Sequence, residues 1–518
     1  MEAHPGAFMT AHATTVAFQG IEAVPVDVQA QFLSGQVQFN IVGLADKAVV
    51  ESRERVRAAL FAVGLALPGK RLAVNLSPAD LPKEGSHYDL PIALAVLSAL
   101  GVLPQDFLNR YLVIGEMGLD GALGAVTGAL PAAIAANARG LGLICPRACG
   151  PEAAWAGDEV DLLAPQTIIQ ILNHVKGTQI LSRPKPGLAE DQTRLPDLKD
   201  IKGQEAAKRA LEVAAAGGHH LLMVGPPGAG KSMLAQRLPS ILPPMDAREM
   251  LETSMIASLA GELPDGKVTR KRPFRSPHHS ASMPALVGGG LKAKPGEISL
   301  SHNGVLFLDE LPEFQPRVLE ALRQPLESGE TQVARANYHI TYPARFQLVA
   351  AMNPCKCGMA GEPGHVCAKG PRCAGDYQAR LSGPLLDRLD IQIELGAVRA
   401  ADLARPVPSE GSAEVAMRVA KARERQRERF ARLGLPELRT NAQADGTLLD
   451  EIATPDEPGL RILHEASDAM MLSARGYHRV LRVARTLADL DGEERVGRLH
   501  VVEALSYRQK LAAFRQAA

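Results

Sequence analysis

Residues 225–232 read Gly-Pro-Pro-Gly-Ala-Gly-Lys-Ser, and this segment constrains the fold more than any other part of the chain. An apolar stretch, His-Leu-Leu-Met-Val at 220–224, precedes it, and a helical pattern begins at Met233. Glycines allow backbone N–H groups to converge on phosphate oxygens, and the N-terminus of a following helix adds positive potential. A strand, a glycine-rich loop and a helix in this order predict a phosphate-binding loop within an α/β domain.

The chemistry of the loop predicts its ligands. We expect the Lys231 ammonium to reach the β and γ phosphates of a nucleotide and the Ser232 hydroxyl to bind Mg²⁺. The predicted nucleotide contacts are Gly225, Pro226, Pro227, Gly228, Ala229, Gly230, Lys231, Ser232 and Met233. The expected cofactors are therefore ATP and Mg²⁺.

Two further buried strands are predicted to end beside this loop. The stretch Val-Leu-Phe-Leu at 305–308 leads into Asp309 and Glu310, two carboxylates that an apolar environment would not tolerate without a role. Asp309 is expected to bind Mg²⁺, and Glu310 to polarise the attacking water. The stretch 346–352 leads into Asn353, which could orient the same water. A plain Asn-Pro turn is the equal alternative for Asn353.

The composition restricts the class of protein. The apolar fraction is 46% and the charged fraction 22%, as in globular proteins. Lys and Arg together number 57, as do Asp and Glu, so any binding to a polyanion must depend on local patches. No apolar run approaches the roughly 18 to 20 residues of a membrane helix, and no secretory signal pattern opens the sequence. We therefore expect a cytoplasmic protein.

The length of 518 residues predicts about two to four domains. Residues 1–181 alternate strand-like and helical patterns, which predicts a first α/β domain, and residues 182–197, rich in proline and charge, a linker. Residues 198–400 are predicted to form a mostly parallel sheet with both faces covered. Residues 401–518 are almost wholly helical, with patterns at 414–430, 460–489 and 501–517.

Several long motifs resemble those of one family. They are Gly203-Gln-Glu, Phe274-Arg-Ser-Pro-His-His, Gly304-Val-Leu-Phe-Leu-Asp-Glu-Leu-Pro-Glu-Phe, Leu381-Ser-Gly-Pro-Leu-Leu-Asp-Arg and Ser473-Ala-Arg-Gly-Tyr-His-Arg. With the order of loop, acidic pair, asparagine and arginines, they resemble the magnesium-chelatase-like family of AAA+ ATPases, ComM type. The resemblance implies a Lon-protease-like α/β N-terminal domain, an AAA+ P-loop core and a C-terminal helical lid.

The resemblance also implies a homo-oligomeric ring, usually a hexamer, in which neighbouring subunits share each ATP site. Arg388 matches the arginine finger, which reaches the γ phosphate of the adjacent subunit. The alternative is a surface arginine paired with Asp387 or Asp390.

A second arginine is implied on the lid. Arg475, at the start of a predicted lid helix, matches the second sensor of the family. Arg479 and Arg482, one and two turns further on, are the alternatives for that role.

The stretch 76–91 of the first domain resembles the active-site segment of Lon-type proteases. In that family a serine lies where this chain has His87. Ser86 is adjacent, but a nucleophile also needs a positioned base and the correct placement. The resemblance therefore implies a non-proteolytic scaffold, which could enlarge the ring or add a surface for DNA.

Two insertions of the core resemble DNA-contacting segments of this branch. The glycine-rich stretch 283–297 carries Lys292 and Lys294 and resembles the insert that faces the ring pore. The stretch 331–342 resembles a hairpin before the first sensor, and Arg335 lies where related helicases carry a DNA-contacting lysine. We expect sequence-independent, salt-sensitive binding to DNA. The alternative is that these charges only solvate loops.

Four cysteines crowd into residues 355–373. Cys355, Cys357, Cys367 and Cys373 are predicted to bind a structural Zn²⁺, with His365 as a possible substitute ligand. Four unliganded thiols are the alternative. Cys145 and Cys149 are expected to be ordinary thiols. The adjacent histidines His278 and His279 are not predicted to bind a metal ion.

Taken together, the resemblance implies an ATP-driven hexameric DNA motor, a helicase or branch-migration ATPase that acts on recombination intermediates in natural transformation. The alternative is a protein remodeller similar to the motor subunit of magnesium chelatase. A third possibility, an active Lon-type peptidase, is disfavoured by His87.

Overall fold

The computed structural model describes residues 10–189, 195–289, 294–335, 338–360, 372–398 and 410–516, together with isolated positions at 402, 404, 406 and 408. Within these residues, no helix combines the length and the apolarity needed to cross a membrane.

The N-terminal part is built on a mixed sheet of seven strands with the order β3-β4-β2-β1-β5-β8-β9. β1 and β4 run antiparallel to β2, and the other neighbours are parallel. β6 and β7 form a separate ribbon. The strands are β1 Ala11–Gln19, β2 Glu22–Leu33, β3 Phe39–Val42, β4 Arg71–Ser77, β5 Tyr111–Val113, β6 Glu116–Met117, β7 Leu123–Gly124, β8 Gly142–Ile144 and β9 Leu162–Leu163.

Helices pack on this sheet, and one of them forms the centre of the core. Every residue from Asp89 to Leu97 of the helix Asp89–Ala99 is buried, as its Leu-Pro-Ile-Ala-Leu-Ala-Val-Leu sequence requires. The other helices of this part are Lys47–Ala62, Gln105–Leu108, Ala129–Asn137, Gly150–Ala153 and Ile168–Val175, with 3-10 turns at Ser86–Tyr88, Arg147–Cys149 and Ala154–Ala156.

A five-stranded sheet with the order β11-β14-β17-β10-β18 follows, and all its neighbouring strands are parallel. Two antiparallel ribbons, β12–β13 and β15–β16, lie outside this sheet. The strands are β10 Leu221–Val224, β11 Phe274–Arg275, β12 Gly288–Gly289, β13 Lys294–Pro295, β14 Val305–Leu308, β15 Glu330–Arg335, β16 Tyr338–Pro343, β17 Gln347–Met352 and β18 Ile391–Glu394. The predicted parallel sheet is thus confirmed.

Every residue of β10, β14 and β17 is buried, because helices cover both faces of the sheet. Since the strands are parallel, the segments that follow β10, β14 and β17 emerge at the same edge, where parallel sheets bind ligands. The helices of this part are Glu205–Gly217, Lys231–Ile241, Ala247–Ala260, Met283–Val287, Glu297–Leu300, Pro316–Ala321, Arg323–Ser328, Arg372–Gln378 and Gly383–Leu386, with 3-10 turns at Leu198–Asp200, Pro264–Gly266 and Leu311–Glu313.

The C-terminal part is helical, and its apolar core is continuous with one face of the five-stranded sheet. The predicted helical stretch 460–489 is two helices, because Met471 adopts a left-handed backbone (φ 47°) and Ser473 caps the next helix by accepting from Gly476 N. The helices are Ser412–Arg432, Gly446–Ala453, Glu457–Met470, Ala474–Asp491 and Arg498–Gln516, with a 3-10 turn at Asn441–Gln443.

Several contacts join the N-terminal part to the core, and two of them involve glycines of the N-terminal part. The turn between β1 and β2 packs on the β15–β16 hairpin, where a Cβ placed on Gly20 would lie 2.5 Å from Thr341 O. At the second contact, Gly128 N donates to Ser258 O and Oγ, and Ser258 Oγ donates to Glu152 at 3.1 Å. The N-terminal part therefore rests directly on the hairpin and on the helix Ala247–Ala260.

Candidate nucleotide-binding site

The predicted phosphate loop, residues 225–232, leaves the carboxyl end of β10, and the helix Lys231–Ile241 begins inside it. Gly228 and Gly230 adopt left-handed backbones with φ of 78° and 89°, which residues with a side chain rarely adopt. No atom lies within 4 Å of a Cβ built on either glycine, so the loop borders open space. Met233 lies exposed on the first turn of the helix.

Lys231 is buried, and its ammonium is directed along the loop. Nζ donates to Gly225 O at 2.6 Å, to Pro226 O at 2.9 Å and to Asn353 Oδ1 at 3.1 Å. Burial lowers the pKa of Lys231, and the negative charge of Asp309 opposes that shift. The structure thus brings Asn353 into contact with the predicted phosphate-binding lysine.

A hydroxyl and a carboxylate meet beside the lysine. Ser232 Oγ donates to Asp309 Oδ2 at 2.6 Å, and Asp309 Oδ1 accepts from Glu310 N at 2.9 Å. Oxygen ligands of this kind suit Mg²⁺, so the donor set fits the ion that the sequence predicts. Glu310 has φ of 50°, a conformation that costs free energy in a non-glycine residue and is often found at functional sites.

His279 is a site residue that the sequence analysis missed. Its Nδ1 lies 3.3 Å from Glu310 Oε2. The ring packs edge-on against Phe314 and lies 4.1 Å, centroid to centroid, from the His278 ring. The last residue of the Phe274-to-His279 motif therefore contacts the predicted catalytic glutamate. The presence of the motif was the only sequence signal for this contact, because the spacing between His279 and Glu310 predicts nothing.

Arg388 lies at the amino ends of the strands, whereas the phosphate loop lies at their carboxyl ends. It precedes β18, and the next residues pair with the start of β10, since Asp390 N donates to His220 O. Lys231 follows the other end of β10. A strand of this length spans about 13 Å, so Arg388 and Lys231 do not meet within one chain.

One carboxylate joins the two predicted arginines. Arg388 pairs with Glu327 through Nη2 and donates from Nη1 to Pro384 O at 2.6 Å. Arg475 Nη2 lies 3.9 Å from the same Glu327 Oε1, and 65% of the Arg475 side chain is exposed. Asp390, one of the alternative partners, pairs with Arg479 instead.

These side chains border a cleft of about 670 Å³ at the amino ends of the strands. Nine arginines line it, against five carboxylates. Arg479 and Arg482 also line the cleft, but Asp390 and Asp445 respectively pair with them. The excess of positive charge favours an anionic ligand.

The cysteine segment contacts the phosphate loop. The sulfurs of Cys355, Cys357 and Cys373 lie within 4.8 Å of one another, a separation compatible with binding of one metal ion. A Cβ placed on Gly358 would lie 2.8 Å from Pro227 Cδ, so this turn abuts the loop. The predicted ligands Cys367 and His365 lie outside the described residues.

The two segments predicted to contact DNA lie side by side. Arg335 is on β15, paired in register with Tyr338 of β16 next to the hairpin tip. Lys294 opens β13, and a Cβ placed on Gly288 of β12 would lie 3.2 Å from Val333 Cγ2 of β15. Lys292 lies outside the described residues.

In the N-terminal part, His87 is buried and its Nε2 lies 2.8 Å from Val16 O. Burial lowers the pKa of His87, which keeps the ring neutral. Ser86 Oγ donates to Glu116. His87 therefore packs as a core residue, and Ser86 bonds a carboxylate.

Three family models match the chain. They are magnesium chelatase, subunit ChlI, over residues 197–403, subunit ChlI of Mg-chelatase over residues 28–148, and the C-terminal part of subunit ChlI over residues 409–508.

Relatives match over nearly the full length. YifB of Escherichia coli is 44% identical and competence protein ComM of Haemophilus influenzae is 43% identical, each over 95% of this chain and 96% of the relative. The magnesium-chelatase 38 kDa subunit of Rhodobacter capsulatus is 28% identical over 64% of this chain and 93% of the subunit. The chain therefore belongs to the magnesium-chelatase-like family of AAA+ ATPases, the group that includes YifB and ComM.

Proposed function

We propose that the protein is an ATP-driven ring motor that acts on branched DNA. The observation that carries the proposal is that Lys231 lies at the carboxyl ends of the parallel strands, whereas Arg388 and Arg475 lie at the amino ends. Each end of the sheet would thus supply half of an ATPase site. The carboxyl end would supply the phosphate-binding and metal-binding groups, and the amino end would supply the arginines. A head-to-tail interface between copies would unite the halves, and repeating that interface closes a ring, for which we propose six subunits.

Each half has a chemical role in hydrolysis. The loop residues would bind ATP, Lys231 would hold its β and γ phosphates, and Glu310 and Asn353 would orient the attacking water. Mg²⁺, held by Ser232 and Asp309, would supply positive charge next to the transferred phosphate. Arg388 and Arg475 of the neighbouring copy would neutralise charge on the γ phosphate, for which a single arginine is worth about 10³ to 10⁵ in rate.

DNA is proposed as the substrate of movement. Arg335 and Lys294 belong to two adjacent ribbons outside the five-stranded sheet. Their charges, and that of Lys292, would meet phosphates without reading sequence. The relative named competence protein supports a role in natural transformation. We propose that the protein works in the cytoplasm on recombination intermediates, as a helicase or branch-migration enzyme.

The other parts would support this motor. We propose residues 1–181 as a Lon-like scaffold, 182–197 as a linker, 198–400 as the AAA+ core and 401–518 as the lid. Cys355, Cys357 and Cys373, with Cys367, would bind a structural Zn²⁺ that fixes the turn against Pro227.

The test is the ATPase rate with and without a four-way DNA junction at several salt concentrations. We expect the junction to stimulate hydrolysis, with less stimulation at high salt, and to be unwound or migrated. A rate that no DNA changes would contradict the proposal.

A protein remodeller is the second candidate, because the magnesium-chelatase 38 kDa subunit matches 64% of the chain. It predicts a stable partner protein that raises the ATPase rate when DNA does not.

A further inference from the structure

Glu327 touches both arginines that the proposed shared site needs. Its Oε1 pairs with Arg388 Nη2 and lies 3.9 Å from Arg475 Nη2. Arg388 is only 5% exposed, and its remaining bonded nitrogen donates to Pro384 O. The Glu327 carboxylate therefore occupies Nη2 of Arg388 and a carbonyl occupies Nη1, while Nε is buried without a hydrogen-bond partner.

An incoming phosphate and the Glu327 carboxylate would compete for the same donors. Both are anions that bind a guanidinium through paired oxygens, and like charges this close repel each other. The arginines can bind a neighbour's γ phosphate fully only when Glu327 moves away.

Glu327 is placed so that the hairpin can move it. It lies on the helix Arg323–Ser328, which Gly329 ends with a left-handed backbone (φ 69°), and β15 begins at the next residue. The base of the hairpin is tied to this turn, since Ala344 N donates to Gly329 O at 2.7 Å. A tilt of β15–β16 would therefore displace the end of the helix that carries Glu327.

We propose that Glu327 is a placeholder for the γ phosphate, which holds Arg388 and Arg475 until the β15–β16 hairpin binds DNA. This inference rests on the proposed shared site. Glu327 is a positioning residue: it acts through the arginines and couples DNA binding on one subunit to hydrolysis at the site that this subunit shares with its neighbour.

The test uses the full-length protein with Glu327→Gln, which removes the charge and keeps the shape. Without DNA, we expect kcat for ATP hydrolysis to rise roughly three- to tenfold at an unchanged KM, and the stimulation by a four-way junction to fall correspondingly. Glu327→Ala should act in the same direction. The matched control is Glu424→Gln, since Glu424, like Glu327, lies on a helix and pairs with an arginine. Its side chain is 54% exposed, against 53% for Glu327.

A second arm separates this inference from the proposed function. Arg388→Ala should lose hydrolysis, and adding Glu327→Gln to it should restore nothing. An active Arg388→Ala protein would overturn the shared site itself. Suppose instead that Arg388→Ala is inactive and that Glu327→Gln hydrolyses ATP without DNA no faster than the wild-type protein. This result would overturn only the proposed placeholder role of Glu327.

Discussion

Lys231 and Arg388 lie at opposite ends of two adjacent parallel strands. Lys231 follows the carboxyl end of β10, and Arg388 precedes the amino end of β18. Parallel pairing of these two strands makes the separation a property of the fold rather than of a movable side chain. An ATPase that needs both residues at one phosphate must obtain them from two subunits.

The contact between His279 and Glu310 predicts a kinetic effect. His279→Ala should lower kcat about tenfold, equivalent to 1.4 kcal/mol, and leave ATP affinity unchanged, because the ring holds the proposed catalytic carboxylate and not the nucleotide. His279→Gln, which keeps a hydrogen-bond donor, should recover part of the rate.

The control is His278→Ala, since Nδ1 of His278 bonds Ser280 instead. Steady-state kinetics and a nucleotide-binding titration measure the two quantities. Equal losses in the two alanine variants would mean that the ring pair only supports the loop.

Zinc binding predicts a second measurable difference. The purified protein should contain about one zinc ion per chain, and Cys355→Ser should lower both the zinc content and the thermal stability. Cys145→Ala should keep the zinc, because Cys145 is buried in the N-terminal core far along the chain from the cluster. Metal analysis that finds no zinc in the wild-type protein would rule out the site.

The free energy of unfolding should depend on pH through Glu152, whose carboxylate accepts from Ser258 where the N-terminal part meets the core. Burial raises the pKa of the Glu152 carboxyl to about 7, although hydrogen bonds from Ser258 and Leu130 N oppose the shift. The folded protein thus holds this proton more tightly than the unfolded chain. The stabilisation is complete below the unfolded pKa of 4.5 and is lost as the pH rises through about 7.

A shift of this size corresponds to on the order of 3 kcal/mol. Thermal denaturation between pH 5 and 8 should show wild-type protein losing stability relative to Glu152→Gln, whose side chain stays neutral. Glu159→Gln, at an exposed position, is the control. Parallel pH profiles for wild-type protein and Glu152→Gln would refute the raised pKa.

Arg335 predicts a change in the salt dependence of DNA binding. Arg335→Ala should weaken binding similarly on all sequences and reduce the slope of log affinity against log salt by about 1, as loss of one phosphate contact does. Arg432→Ala, at the exposed end of the helix Ser412–Arg432, should leave the slope unchanged. Fluorescence anisotropy over a salt series measures these slopes. An unaltered slope for Arg335→Ala would mean that Arg335 does not contact DNA.

The sequence was sufficient for residues that follow buried strands. Asp309 and Asn353 could be placed beside the loop because parallel strands end at one edge, and both indeed contact loop residues. Arg388 and Arg475 could be identified by motif, but their meeting through Glu327 could not, because no pattern links position 327 to either. His279 and the packing of Gly20 on Thr341 likewise depend on tertiary contacts between distant segments.

The shared site is tested most directly by mixing two inactive proteins. Lys231→Ala lacks the phosphate-binding lysine but has Arg388, and Arg388→Ala has the reverse. Co-purified through different affinity tags at equal amounts, the two should regain ATPase activity at roughly a quarter of the interfaces, those that join an intact loop to an intact arginine. A mixed assembly with no more activity than the sum of its inactive parts would contradict the account.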